Sequence, residues 1–352
     1  MKGYDPTKPF NAQTLKLIQE THPKEGPITL HSVGKRFAIR KDPNYWKDYE
    51  ELKATDGIGT KGSIHWKLRT FSYGAQDAAA MVWDDLIESG YVPYEMQNHI
   101  IMQEEDNEGI YSIIKTLRDL SLKHRWKVDE KRTNPVIMSG GETAIDNTLE
   151  GFELGITATG MVKNNEWLVP HIKEGDIIIG LGSNGIHSNG LTFVRELFFD
   201  KLKLNLDDRI EDATLGEELT RPTTLYLPSI VNLLDNSREY VDGLLHITGG
   251  AFTKFKSLTN GLFDIVIERD HKLSPQPIFK FIYEEGKQSD EKMYQRFNNG
   301  VGYAAVVGRE ATEDVVQTLG KYTEVDEIGY VEKGVGLVKI ESKFSDREVI
   351  FN

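Results

Sequence analysis

The sequence predicts a two-domain α/β protein, and three observations carry that reading. Residues 176–181 read as an apolar strand, followed by a glycine-rich turn and a helix beginning near Leu191. The same order recurs at residues 244–248, with Gly249 and Gly250 as the turn and residues 252–258 as the helix. The chain has 352 residues, 39% of them hydrophobic, which is ample for two cores.

Taken in order, the first fifty residues are polar, and Pro6, Pro9, Pro23, Pro27 and Pro43 interrupt any long helix. Only residues 12–20 look helical, and the segment is expected to wrap a folded body. From 73 to 90 the apolar residues Ala78, Met81, Val82 and Leu86 recur at helical spacing, with Gly90 as the stop. A second helix is expected over 109–123. A short strand at 136–138 leads into Gly140 and Gly141, and a strand pair is expected over 152–162. The polar stretch 163–174, with Asn164, Asn165 and Pro170, is the candidate boundary. The expected domains are thus an extension over 1–50, a first domain over 51–165 and a second over 166–352. No internal repeat is visible.

Charge and composition exclude several classes of function. With 42 basic and 55 acidic side chains the net charge is -13, which disfavours nucleic acid as a partner. The chain has no cysteine, so disulfides, thiolate metal sites and a thiol nucleophile are excluded. Residues 1–10 lack the apolar core of a signal peptide, and no apolar run approaches the roughly 18 residues of a membrane span. A cytoplasmic location and no membrane partner are expected.

Five segments carry candidate chemistry. Asp56, Gly57, Ile58, Gly59, Thr60 and Lys61 follow a short strand and combine a carboxylate, flexible backbone and a lysine. Such a set suits a nucleotide: glycines admit phosphate to backbone amides, a carboxylate holds magnesium, and a lysine offsets charge. It lacks the spacing of a P-loop, and an ordinary tight turn is the alternative. In the helix 73–90, Asp85 extends the apolar stripe of Met81 and Val82, whereas Asp84 lies seven residues from Asp77 on another face. Asp85 is therefore expected to point inward and meet a metal ion or a cation, or else to border solvent or form a structural ion pair. Glu142 follows Gly140 and Gly141 at an expected strand end, as a second metal ligand or a solvated turn residue.

The fourth segment is the richest. Gly182, Ser183, Asn184, Gly185, Ile186, His187, Ser188, Asn189 and Gly190 lie between a strand and a helix, an arrangement suited to phosphate. His187 inside it would donate to phosphate or transfer a proton, or would cap its own loop. The fifth is His246, Ile247, Thr248, Gly249 and Gly250, where His246 is either functional or a satisfied core histidine.

With these segments in order, the sequence resembles the aminoimidazole ribonucleotide synthetase family, also called phosphoribosylformylglycinamidine cyclo-ligase, over roughly residues 53–340. Two further segments carry the resemblance: Arg221, Pro222 and Thr223, and Met293 and Tyr294 with Phe297, Asn298, Asn299, Gly300, Val301 and Gly302. The resemblance implies a homodimer in which N-terminal strands of two subunits share a barrel, followed by a C-terminal α/β domain. It implies ATP and Mg2+, with a small ribonucleotide as substrate, and closure of the imidazole ring of purines with release of ADP and phosphate. It further implies that Asp56, Asp85 and Glu142 hold magnesium and that Lys61 offsets triphosphate charge. Gly57, Gly59 and Thr60 with Gly182, Ser183, Gly185, Ser188, Asn189 and Gly190 would bind nucleotide and phosphate, with His187, His246 and Lys61 catalytic.

The chain departs from the family pattern in several places. A glycine-rich segment is reduced to residues 30–37 with Gly34 alone. Asp84 stands where asparagine is usual, Ala251 replaces a third glycine, residues 90–93 differ, and the insert at 121–135 is longer and more basic. Two alternatives follow: another ATP-dependent phosphotransferase of the same superfamily, or a non-catalytic nucleotide-binding paralogue. The absence of cysteine argues against selenophosphate synthetase, and residues 297–302 argue against thiamine-monophosphate kinase.

Overall fold

A computed structural model of the protein describes residues 9–33 and 36–352. Residues 1–8, and Gly34 and Lys35 within the stretch 30–37, lie outside the described residues. The chain divides into two compact units, one ending at Trp167 and one running from Leu168 to Asn352.

The first unit opens with α1 (Pro9–Glu20), the hairpin β1 (Ile28–Val33) and β2 (Arg36–Lys41), and the single turn α2 (Pro43–Trp46), which Asp42 caps through Asn44 N at 2.9 Å. Then follow β3 (Tyr49–Gly57), α3 (Lys61–Leu68), α4 (Phe71–Glu88), β4 (Val92–Met102) and α5 (Asn107–Lys123). The short hairpin β5 (Arg125–Lys127) and β6 (Thr133–Pro135) accounts for the basic insert, and β7 (Ile137–Ile145) and β8 (Phe152–Lys163) complete the unit. Four strands form one sheet in the order β3-β8-β4-β7, parallel only between β4 and β7, with α5 as their crossover. The expected strand pair at 152–162 is the one long strand β8.

Burial follows strand alternation. Leu154, Ile156 and Ala158 of β8 face the helices and are buried, whereas Lys53, Thr55, Gln97, His99, Glu142 and Thr157 share the other, exposed face. The N-terminal segment is built into this unit. Met138 N donates to Thr21 Oγ1 at 2.9 Å, and His22 Nε2 donates to Met138 O at 3.0 Å. Lys41 lies 4.6 Å from the centre of the Trp46 ring, and Tyr45 stacks on Tyr49 at 4.9 Å.

The second unit holds β9 (Ile177–Gly182), α6 (Leu191–Arg195), β10 (Arg209–Ile210), β11 (Ala213–Thr214), α7 (Leu215–Thr220) and α8 (Leu227–Ser237). It continues with β12 (Val241–His246), β13 (Phe263–Ile267), α9 (Pro277–Glu285), α10 (Asp290–Arg296), β14 (Val301–Val307) and α11 (Thr312–Leu319). The chain closes with β15 (Val325–Lys333), β16 (Val338–Glu341) and β17 (Glu348–Phe351). Its seven-stranded sheet runs β12-β14-β9-β15-β13-β16-β17, and only β13 and β16 are parallel neighbours. The mixed α/β class holds, but the strand–turn–helix units sit in a largely antiparallel sheet. The second expected helix is a 3-10 turn over Ala251–Leu258, while α6 is five residues long and runs on into a π-helical turn, Glu196–Lys201.

β9 and β14 are buried at every position, as their β-branched and small residues suit for central strands. Among the described residues, no helix is long and apolar enough to cross a membrane.

Candidate functional site

In the first unit, Asp56 is the penultimate residue of β3 and is exposed, with Gly57 N donating to its Oδ1 at 2.7 Å; Gly59 and Thr60 are exposed nearby. Lys61 departs from expectation. It is 1% exposed, and its ammonium lies 2.8 Å from Asp77 Oδ1 in α4. Asp77 Oδ2 lies 2.8 Å from His65 Nε2, and both residues are fully buried. Burial disfavours the charge on Asp77, but Lys61 and the His65 bond outweigh it and hold the carboxyl below the usual carboxylate range. Burial lowers the Lys61 ammonium and the His65 ring from their ordinary values, with Asp77 opposing both. Lys61 therefore faces the core here, and cannot offset a triphosphate at the surface without breaking its buried ion pair with Asp77.

Asp85 also departs from expectation: it is half-buried, while Asp77 and Asp84 are the fully buried carboxylates of α4. The helix is buried on more than one side, from Asp77 through Asp84, so an apolar stripe does not define a single inward face. Glu142 is not in a turn. It lies within β7, exposed beside His99 of β4. The glycines before it lie in the strand, paired to β4, and at Gly141 a Cβ would stand 2.7 Å from Asn98 O.

The three expected magnesium ligands do not form one ligand set within the chain. Asp56 shares a row with Ile156, Asn98 and Gly141, while Glu142 stands one row on, facing the other side. With β8 and β4 between them, they are roughly 14 Å apart at the usual strand spacing. Among the described residues, no group of three or more His, Asp or Glu is placed to hold a metal ion.

In the second unit the topology gathers three motifs. β9 and β12 flank β14 and run antiparallel to it, so the turns after β9 and β12 meet residues 297–300 before β14 at one end of the sheet. Asn298 ties the loop after β9 to residues 297–300: it accepts from Ser183 Oγ at 2.7 Å and donates through Nδ2 to Gly185 O at 2.8 Å. Asn184 Nδ2 donates to Pro222 O at 2.8 Å, and Ser188 Oγ lies 3.3 Å from Thr223 Oγ1. The backbone amides of Gly182 and Ser183 are committed to Glu324 O and Gly300 O, at 2.8 and 2.9 Å. Those two amides are thus withdrawn from the phosphate role expected of them. Asn189 is half-buried, its Oδ1 3.9 Å from where a Cβ on Gly249 would stand, and Gly190 closes the loop at φ 72° against Phe297.

Both candidate histidines are buried, His187 at 2% exposure and His246 at 0%. Each ring lies 6.3 Å from that of Tyr226, and His246 stacks on Tyr303 at 5.7 Å. Tyr226 donates to Gly182 O at 2.8 Å, tying this aromatic group to the glycine loop. Lys254 supports the other turn, donating to His246 O at 2.8 Å and Thr248 Oγ1 at 2.9 Å. Ala251 adopts φ 46° and His187 φ 60°, left-handed conformations uncommon for either residue. Sequence reasoning missed His65, Tyr226, Tyr303 and Lys254. A charged residue in the apolar helix signals a partner for Asp77, but nothing in local spacing marks the two tyrosines.

This combination of units defines a class. Residues 173–340 match the family model described as AIR synthase related protein, C-terminal domain. The thiamine-monophosphate kinase of Stenotrophomonas maltophilia K279a superposes with a TM-score of 0.63 at 15% identity, over 96% of this chain and 98% of that one. T. maritima PurL complexed with ATP gives 0.54 at 12% identity, over 97% of this chain and 51% of that one. At these identities the likeness shows the fold alone.

Two curated relatives are nearer in sequence. The phosphoribosylformylglycinamidine cyclo-ligase of Thermococcus kodakarensis is 35% identical over 287 residues, covering 81% of this chain and 80% of that protein. That of Methanocaldococcus jannaschii is 32% identical over 277 residues, covering 78% and 76%. The chain belongs to the phosphoribosylformylglycinamidine cyclo-ligase family.

Proposed function

We propose that this protein closes the imidazole ring of a purine precursor, converting formylglycinamidine ribonucleotide and ATP to aminoimidazole ribonucleotide, ADP and phosphate. Identity of 35% to a cyclo-ligase over 81% of the chain carries the reading. The gathering of the 182–190, 246–250 and 297–300 segments at one sheet end supports it. In this scheme the formyl oxygen takes the γ-phosphoryl group of ATP, ADP leaves, and an amidine-side nitrogen attacks the activated carbon. Phosphate then departs with the former formyl oxygen, and the nitrogen gives up its proton.

The roles follow the placements. Asp56, Gly57, Gly59 and Thr60 form the exposed nucleotide turn of the first unit. Gly185, Ser188, Asn189 and Gly190 lie in the loop that receives phosphate groups, with Asn298 fixing its shape. His187 and His246 act through Tyr226 on that loop. The carboxylates of Asp56, Asp85 and Glu142 do not converge within one chain.

The exposed face of the four-stranded sheet and its outermost strand β3, to which no further strand pairs among the described residues, support a homodimer, since extending the sheet with a second copy covers both. Division of labour between the units, nucleotide on the first and loop on the second, is part of the same proposal. The test is ADP release by the purified protein with magnesium–ATP, with and without the ribonucleotide, beside a colour assay for the aminoimidazole. One ADP per product supports the reading; ADP release indifferent to the ribonucleotide overturns it.

A further inference from the structure

Lys61 begins α3 directly after the exposed Gly59 and Thr60, yet its ammonium points into the core. Lys61 Nζ to Asp77 Oδ1, Asp77 Oδ2 to His65 Nε2, and His65 Nδ1 to Thr70 Oγ1 are each 2.8 Å. The chain of contacts runs from the head of α3, across α4, to the residue that precedes α4. Packing leaves little slack around it. A Cβ on Gly62 would stand 1.8 Å from Phe152 O, and one on Gly74 would stand 2.9 Å from the Phe152 ring and 3.3 Å from the His65 ring. A lysine serving an anion at the surface would have to break its buried ion pair with Asp77, and losing one partner of such a pair is strongly disfavoured even with His65 still in place.

We propose that Lys61 is a positioning residue: with Asp77 and His65 it locks α3 to α4, holds Asp56, Gly57, Gly59 and Thr60 in place, and makes no contact with the nucleotide. This rests on the reading that the turn takes ATP. ATP binding by the parent protein, followed by equilibrium dialysis, is therefore measured first. Absence of binding removes the functional reading of the turn, while the labelling result below still decides where the lysine points.

The full-length protein is treated with formaldehyde and borohydride, with and without ATP, and Lys61 methylation is read by mass spectrometry, with a urea-unfolded sample as the reactive control. The positioning role gives an unmodified Lys61 in both native samples. Modification without ATP that ATP suppresses overturns it. The second readout is kinetic. K61M raises the KM for ATP and lowers kcat, and K61M/D77N, which removes both charges together and keeps an acceptor for His65 Nε2, recovers about tenfold in kcat/KM over K61M, as coupled neighbours do. A double variant no better than K61M assigns the lysine to the nucleotide and overturns the proposal. Where K61M does not fold, the labelling experiment on the parent protein decides alone.

Discussion

Gly302 lies second in β14, and a Cβ there would stand 2.0 Å from Tyr226 Oη and 2.7 Å from His187 Cε1. Ordinary contact is roughly 3.5 Å, so Gly302→Ala drives the phenol back by about 1.5 Å. Tyr226 is 1% exposed and its hydroxyl reaches Gly182 O at 2.8 Å, a bond that such a shift breaks inside the core. Overpacking costs about 1–3 kcal/mol and an unmet buried polar group a similar amount, so a loss of about 3 kcal/mol is expected. The displaced ring also releases the end of β9, where the loop begins. A shift of this size at a reacting centre costs about a hundredfold in kcat/KM.

The assay is urea unfolding followed by far-ultraviolet circular dichroism, beside steady-state kinetics. All five tryptophans lie at or before Trp167, so their fluorescence reports the first unit and leaves this substitution to the other probe. Tyr226→Phe removes the nearest clashing atom and leaves Cζ at 2.9 Å, so G302A/Y226F should regain about 1 kcal/mol over G302A. A G302A protein within about 0.5 kcal/mol of the parent and fully active would refute the packing argument.

Three further outcomes are expected. Asp264 accepts from the amides of Val335, Gly336 and Leu337 at 2.7, 3.0 and 2.9 Å and pairs with Lys339 at 2.8 Å. Burial would raise its pKa, but Lys339 and these amides pull the carboxyl down to about 2 from 3.8. Its ionisation thus stabilises the fold by about 2 kcal/mol above the unfolded value, and that contribution is lost as pH falls through the folded one. Asp264→Asn should lower stability by about that amount at pH 7 and by about half as much at pH 3, read by hydrogen exchange across β13 and β16. Equal losses at both pH values would contradict the charge argument. Asp56→Asn, at an exposed strand end, should leave the unfolding midpoint unchanged while cutting turnover at least about a hundredfold; undiminished turnover would remove Asp56 from the site. Light scattering on the eluting protein should give the mass of two chains, and a monomer at micromolar concentration would remove the dimer.

Much of this architecture was legible because local patterns and tertiary demands agree. The strand at β9 and the glycine loop after it follow directly from an apolar run ending in turn residues, and α5, expected over 109–123, begins two residues earlier, where Asp106 caps it through Gly109 N at 2.8 Å. Where the reading failed, tertiary contact had replaced the local rule. Gly140 and Gly141 look like a turn, but Gly141 is small because β4 approaches its backbone. The phase of α4 misassigned Asp85 because a helix buried on several sides has no single polar face. Lys61 looks like a phosphate ligand in its hexapeptide, and only Asp77, sixteen positions on, turns it inward. The aromatic group around Tyr226 joins residues from four separate segments, a grouping that topology makes and sequence spacing does not carry.

The most direct test of the proposed ring closure follows one atom. Formylglycinamidine ribonucleotide carrying oxygen-18 in its formyl group is turned over with unlabelled ATP, and the released phosphate is analysed by mass spectrometry. Activation of the formyl oxygen by phosphorylation delivers one labelled oxygen to each phosphate. Phosphate free of label, formed alongside the aminoimidazole product, would contradict the account.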